Sequence, residues 1–375
     1  MKKWMTVIIM TFYAILLFSC ATTNRSPGLS MTATKSNYKY HTPAEIYEIM
    51  DKSDVRYKIE EVEDLKPFNL VQHSTESYPI SPYHRIVYES ADKYTIIIDE
   101  PKGRIADIFN QAAQELQNDN FKAVRKLYEE ALSIDSGYFK TWTNLGDTYY
   151  LLGDYETAEG MLKKSIAMND IGYQEYFFLA DVYDKMGRTG ESIDAIAHAF
   201  MLNKNSLNLQ KALHRLLADN GLGLREDRLE FPFQIRKTGV SECEIKFRNK
   251  DGLNWMAMAN CMACWEMEPA FHSRLQSGNR WLAKVNMYKE CIFNQGIMVE
   301  NKKKKGKELT KNEELLREAL FGKYINAIVY WEILAGEIPM AILLLPRAER
   351  ETIVEYIKQY VFEKRSEERD WTIEK

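Results

Sequence analysis

One stretch of this 375-residue chain, 105–206, repeats a single pattern three times at one fixed step. Leu145 and Leu179, Tyr149 and Tyr183, and Gly153 and Gly187 each stand 34 apart. Ala131, Ser165 and Ala199 form a ladder of small residues with the same step, and Leu132, Ile166 and Phe200 form an apolar ladder beside it. A period of this length calls for stacked helix–turn–helix units, each burying its apolar face against the next, and argues against one closed core. Such arrays usually bind and rarely catalyse.

The middle copy, 139–172, carries the pattern most fully: Phe139, Trp142, Leu145-Gly146, Tyr149, the turn Gly153-Asp154-Tyr155, Ala158, Leu162, Ser165, Ile166 and Asp170. Trp142, Leu145 and Tyr149 fall at i, i+3 and i+7, one face of a helix. Gly146 and Ala158 are small enough for two helices to approach closely. Gly153 supplies the left-handed residue that closes the first helix of the pair. This pattern resembles the tetratricopeptide repeat. The third copy, 173–206, keeps Tyr176, Leu179, Ala180, Tyr183, Gly187, Ser192, Ile196 and Ala199. The first, 105–138, is weaker: it keeps Ile108, Ala112, Tyr128 and Ala131 but has Glu115 where the tyrosine is expected. Residues 207–220 read as a following helix that caps the stack.

The amino end carries a second signal. Lys2 and Lys3 precede an apolar run, Met5–Phe18, that is too short to span a bilayer and right for a signal h-region. It ends Leu17-Phe18-Ser19-Cys20, which resembles a bacterial lipobox. The resemblance implies cleavage after Ser19 and a diacylglycerol thioether on Cys20, with several acyl chains giving stable anchoring. An ordinary secreted protein with a chance cysteine at the cleavage site is the alternative. Ala21 stands where inner-membrane retention would use aspartate, which points to the outer membrane. The polar, small residues of 21–37 read as a flexible tether. The net charge is −4, and nothing in that balance suggests nucleic acid.

The expected fold is mainly α: a solenoid of three helix–turn–helix repeats, flanked by a small N-terminal α/β subdomain and a mostly helical C-terminal domain with a β-hairpin. The boundaries read 1–19 signal peptide, 20–37 lipidated cysteine and tether, 38–100 subdomain, 101–220 repeats with capping helix, and 221–375 C-terminal domain. In the subdomain, Thr42, Pro43 and Glu45 form a capping box ahead of a helix to residue 53. Residues 57–62, 84–88 and 94–98 read as strands, the last two as a hairpin across Ala91-Asp92-Lys93. The subdomain is expected to pack on the first repeat, with His73 and His84 at the surface. Further on, 231–240 and 243–248 predict a β-hairpin, and helices are expected from Asn254, over 280–293, 312–335 and 347–364. Ile325–Leu345 is very apolar but carries Glu332, Gly336, Glu337 and Pro339, so it reads as two core helices. Lys302–Lys305 with Lys307 reads as a solvated basic loop, contact with anionic head groups being the alternative.

Cys261-Met262-Ala263-Cys264 is the one spacing that invites chemistry. It lies mid-helix, away from the helix N-terminus that lowers a thiol pKa, and no second paired ligand motif completes a zinc site with Cys243, Cys291 or His272. Packed thiols or structural disulfides are expected, and with four cysteines beyond Cys20 three complete pairings stay open. No catalytic template, metal site or cofactor loop is found.

The resemblance to the repeat family implies a groove lined by Phe109, Ala113 and Leu116 in the first copy. The second copy contributes Lys140, Thr143, Asp147 and Tyr150, and the third Gln174, Phe177, Asp181 and Asp184. An aromatic groove with an acidic stripe suits an apolar, basic peptide or a partner's helix. The expectation is a lipid-anchored scaffold that recruits another cell-envelope protein. A homo-oligomer built through the groove, and an enzyme or metal-dependent factor with its site in 221–375, are the rivals.

Overall fold

Left-handed backbone marks the period in the structure as clearly as side chains mark it in the sequence. Asp119, Gly153, Gly187 and Gly221 follow one another at the repeat step, and all have positive φ, between 55° and 82°. The computed structural model describes residues 29–32, 39–63, 65, 80–90, 93–225, 231–248, 255–271, 280–321 and 323–364. The signal peptide, Cys20, the tether apart from 29–32, His73 and the Ala91-Asp92 turn lie outside the described residues, and 29–32, expected within the flexible tether, form a strand.

In chain order the elements are β1 Leu29–Thr32, α1 Pro43–Asp51, β2 Arg56–Val62, β3 His84–Ser90 and β4 Lys93–Ile98. The repeats follow: α2 Gly103–Gln117, α3 Phe121–Ile134, α4 Phe139–Leu152, α5 Tyr155–Met168, α6 Tyr173–Lys185, α7 Thr189–Leu202 and α8 Leu207–Asp219. Then come β5 Leu222–Leu224, β6 Phe233–Gly239, β7 Glu242–Arg248, α9 Met256–Met267, α10 Arg280–Lys304 and α11 Lys311–Phe321. After a π-helical stretch, Ala327–Leu334, and a 3-10 stretch, Pro339–Leu344, the chain closes with α12 Arg347–Tyr356 and β8 Phe362–Lys364.

The chain divides into two compact units. The first draws on 1–34, 78–225 and 342–375 and contains the repeats. Helices α2/α3, α4/α5 and α6/α7 form three consecutive pairs, as the period predicts. The ladder residues Ala131, Ser165 and Ala199 are all fully buried. At Gly146 the helices approach so closely that a Cβ would stand 2.7 Å from Leu162 Cγ and 3.3 Å from the Ala158 carbonyl oxygen. The first core cluster joins Ile108, Phe109, Ala112, Leu116, Val124 and Tyr128 to Tyr138, Phe139 and Leu145 of the next pair. Helix α8 is more than a cap. It begins one full period after α6 begins, and Leu213, Leu217 and Gly221 repeat the positions of Leu179, Tyr183 and Gly187. It is the first helix of a fourth, unfinished copy. Where a second helix would start, the chain turns into β5, which pairs antiparallel with β8.

Two further pieces complete this unit. Strands β1, β4 and β3 form an antiparallel sheet. It is tied to the end of the first copy through Tyr138 and to the second through Asn169, whose Nδ2 donates to the His84 carbonyl at 2.9 Å and whose Oδ1 accepts from the Ile86 N–H at 3.3 Å. Tyr138 Oη donates to the Asp99 carbonyl at 2.9 Å. His84, expected at the surface, is buried, and its Nδ1 accepts from the Ser81 N–H at 2.9 Å. Burial lowers its pKa. The second piece is α12, which packs on α7. Arg350, 2% exposed, reaches Asp170 at 2.6 Å and the Leu345 carbonyl at 2.5 Å.

The second unit draws on 35–77 and 226–341. Thr42 and Glu45 cap α1 reciprocally, as expected from the sequence. Strand β2 runs parallel to β7 from Arg56↔Glu242 to Val62↔Arg248, and β7 pairs antiparallel with β6. Residues 38–100 therefore do not make one subdomain. Their first strand completes a sheet with the 231–248 hairpin, and their last two strands belong to the repeat unit. The boundary at 221 also fails, because α12 and β8 belong to the repeat unit.

Helix ends differ from expectation as well. Helix α10 runs through Lys304, so Lys302–Lys304 form its last turn, and Lys302 pairs with Glu313 at 2.6 Å. The expected 312–335 helix ends at Phe321 and resumes as the π-helical stretch, and the 347–364 helix ends in β8. Among the described residues no helix is long and apolar enough to cross a membrane.

Candidate functional site

The face that the repeat resemblance assigns to ligands is built from α2, α4, α6 and α8, the first helix of each copy. Residues one period apart on neighbouring helices meet there. Lys140 Nζ donates to Gln174 Oε1 at 2.6 Å and to Glu175 Oε1 at 3.2 Å. Thr143 Oγ1 donates to the same Glu175 oxygen at 2.6 Å and lies 2.9 Å from Ser165 Oγ, which donates to the Phe139 carbonyl at 2.9 Å. Gly172 makes room for this network, since a Cβ there would come within 2.1 Å of Glu175 Oε2. That second oxygen is buried and has no hydrogen-bond partner.

Lys140, Thr143 and Asp147 are 3%, 0% and 3% exposed, and Phe109 and Phe177 are also buried. This part of the face is packed interior. Burial lowers the Lys140 pKa against the pull of Glu175. Burial, with the nearby charge of Asp181, pushes Asp147 up to about 7.

The acidic stripe continues into a cation that the sequence reading did not pair with it. Arg215 stands on α8 one period after Asp181. Its Nη2 meets Asp181 Oδ1 at 2.5 Å, and its Nη1 meets Asp184 Oδ2 at 3.3 Å. The stripe is thus Asp147, Asp181 and Arg215, three residues at one repeat position, with Asp184 beside them. Burial raises the Asp181 pKa, and Arg215 pulls against the rise. The carboxylates of Asp181 and Asp184 and the Arg215 guanidinium are partly exposed, at 18%, 24% and 45% of their side-chain surfaces. Tyr150 is also half-buried, and burial raises its pKa. The face offers Tyr150, Asp181, Asp184 and Arg215 to solvent and keeps Lys140 and Thr143 for its own cohesion.

Two other constellations were not legible in advance. His198 stacks on Tyr176 with ring centroids 4.8 Å apart, and its Nε2 meets Glu351 of α12 at 2.9 Å. In the second unit, fully buried Glu290 accepts from Trp265 Nε1 at 2.8 Å and from the His41 N–H at 2.7 Å. Neither carries a period or a motif, so no local signal announced them. Among the described residues no group of three or more His, Cys, Asp or Glu is placed to hold a metal ion.

Residues 127–160 and 176–206 match family profiles described as tetratricopeptide repeat. The helical pairs are tetratricopeptide repeats. Solved structures similar to the chain include the first such domain of Spaghetti (RPAP3) bound to an HSP90 peptide. It has 13% identity and a TM-score of 0.30, covering 31% of this chain and 93% of that one. The Arabidopsis OM64 domain has 15% identity and a TM-score of 0.30, covering 31% and 99%. MamA has 17% identity and a TM-score of 0.27, covering 52% and 96%. Superpositions this loose carry no functional information. A search of curated proteins finds no match.

Proposed function

We propose that the chain is a lipid-anchored scaffold of the bacterial cell envelope, which holds a partner protein at the partly exposed Tyr150, Asp181, Asp184 and Arg215 of its repeats. Tetratricopeptide repeats generally mediate protein–protein interactions. The observation that carries the reading is the division of the inner face. Lys140, Thr143, Asp147 and Phe177 are buried there, while Tyr150, Asp181, Asp184 and Arg215 keep partial exposure on α4, α6 and α8. A basic peptide side chain can compete with Arg215 for the two carboxylates, and Tyr150 offers an apolar ring beside them. The lipobox-like Leu17–Cys20 supports anchoring through Cys20.

The test is crosslinking in intact cells with an amine-reactive probe, followed by mass spectrometry. Lys185, exposed next to Asp184, is the amine within reach, whereas buried Lys140 is not. One dominant envelope protein linked through Lys185, and lost in Asp184→Lys, is the expected result. Links confined to 231–364 would end the reading. Metabolic labelling with a fatty-acid analogue tests the anchor separately: label should enter the wild-type chain and not Cys20→Ser.

A further inference from the structure

The second unit holds two cysteines in a position to bond. Cys261 lies in the middle of α9 and Cys291 in the middle of α10, both fully buried. Their sulfurs stand 2.9 Å apart, the two residues being 30 positions apart in sequence. A disulfide bond is about 2.05 Å long, so closing it asks for a displacement of roughly 0.9 Å, which rotamer adjustment can supply. The remaining thiols have other surroundings. Cys264, one turn after Cys261, is beside the Tyr57 hydroxyl, which itself donates to Glu268. Cys243 sits on β7 with its side chain inward.

We propose that Cys261 and Cys291 form a disulfide that staples α9 to α10, and that Cys243 and Cys264 stay reduced. Of the three complete pairings open in the sequence, none is used in full; one bridge forms. The oxidant is a small-molecule disulfide. One cysteine thiolate attacks it, forming a mixed disulfide and expelling one small thiol. The second cysteine thiolate then attacks the protein sulfur of the mixed disulfide, forming the Cys261–Cys291 bond and expelling the other thiol. Both protein sulfurs are oxidised, the small disulfide is reduced, and the two cysteine protons end on the two released thiols. Because both thiols are buried in the folded unit, the exchange belongs to folding, before α9 and α10 close over them. Afterwards the same burial shields the bond from reductant. A link between two helices well separated in sequence removes conformations from the unfolded chain, which is how such a bond stabilises.

The experiment uses the full chain, unfolded in reductant and refolded by dilution into a mixture of oxidised and reduced glutathione. Free thiols are then capped by alkylation, and the digest is mapped. The expected product links the peptide of Cys261 to that of Cys291, with Cys243 and Cys264 alkylated. Cys261 and Cys264 share a tryptic peptide, so the assignment rests on variants: Cys264→Ala keeps the link and Cys261→Ala loses it. Protein refolded in reductant alone, and so without the bond, should melt roughly 5–10 °C below the oxidised protein, in wild type and in Cys243→Ala alike. Full alkylation of all cysteines, or a dominant bridge that survives Cys261→Ala, overturns the proposal.

Discussion

The repeat array and the second unit are assembled by opposite rules. In the array, each copy meets the next through residues one period apart. Lys140 meets Gln174, Asp181 meets Arg215, and the left-handed turn recurs from Asp119 to Gly221. Each such contact spans a single period. In the second unit the deciding contacts join distant segments. Arg56 faces Glu242 across a parallel ladder, and the His41 backbone ends on Glu290, 249 residues away. The first rule gives a structure that can be lengthened or cut at a period boundary, and the second gives one that closes only when its two distant segments, 39–62 and 231–321, are both present.

The largest expected effect tests whether the array's cohesion is as local as this implies. Lys140→Met leaves Glu175, which is 0% exposed, without its cation. Breaking a buried pair from one side costs about 3–5 kcal/mol, while replacing both members with apolar groups is often neutral. Lys140→Met should therefore lower the urea midpoint strongly, and Lys140→Met with Glu175→Leu should recover most of it. Hydrogen exchange should rise first in α4 and α6. A loss spread evenly over both units would break the comparison.

The counterpart in the second unit is Glu290→Ala. It strands the Trp265 and His41 donors, at a cost of roughly 2–4 kcal/mol for two buried groups left unpaired. Here the effect should appear far along the chain, as faster exchange in 39–51. Unchanged protection of α1 would mean that the long-range closure is held by β2 and β7 alone.

A pH effect separates the two units further. Asp147 has an ordinary carboxyl pKa of 3.8 raised to about 7 by burial first and by Asp181 next, with Lys140 opposing. A raised acid binds more protons folded than unfolded, so its contribution is fully present below pH 3.8 and is lost as pH rises through about 7. The array should lose stability across that window, and Asp147→Asn should flatten the slope. Equal slopes in wild type and Asp147→Asn would show that the carboxylate is not held neutral.

What could be read from the amino acids follows the same division. The three helical pairs, the close approach at Gly146, the turns at Gly153 and Gly187 and the capping box at Thr42 were all legible, because each is a local rule repeated or self-contained. The fourth copy was only half seen. Leu213, Leu217 and Gly221 keep the register, but Leu217 replaces the tyrosine and no second helix follows. The parallel pairing of β2 with β7 had no signal, since nothing in the sequence of β2 specifies a partner. The closed part of the ligand face was hidden for a different reason. The family resemblance placed Lys140 and Thr143 in the ligand groove, and Glu175, a residue outside the expected groove, satisfies both inside the fold.

The smallest expected effect concerns the turn that ends each first helix, and it carries opposite signs in different copies. Gly153 has φ 82° with nothing within 4 Å of an added Cβ, so Gly153→Ala meets no steric contact and bears the torsional cost of a left-handed L-residue, about 1 kcal/mol, offset in part by the stiffer unfolded chain. Asp119 occupies the same position in the first copy at φ 55° and already bears that cost. Asp119→Gly removes it but gives the unfolded chain more freedom, worth about 0.4–1 kcal/mol, so the two nearly cancel and the net gain should be at most about 0.5 kcal/mol. Urea midpoints of the two variants should therefore move apart, Gly153→Ala down and Asp119→Gly level or slightly up. If Asp119→Gly instead lowers the midpoint by as much as Gly153→Ala, the aspartate side chain contributes to the turn. The first copy would then close by its own chemistry and stand outside the period that governs the others.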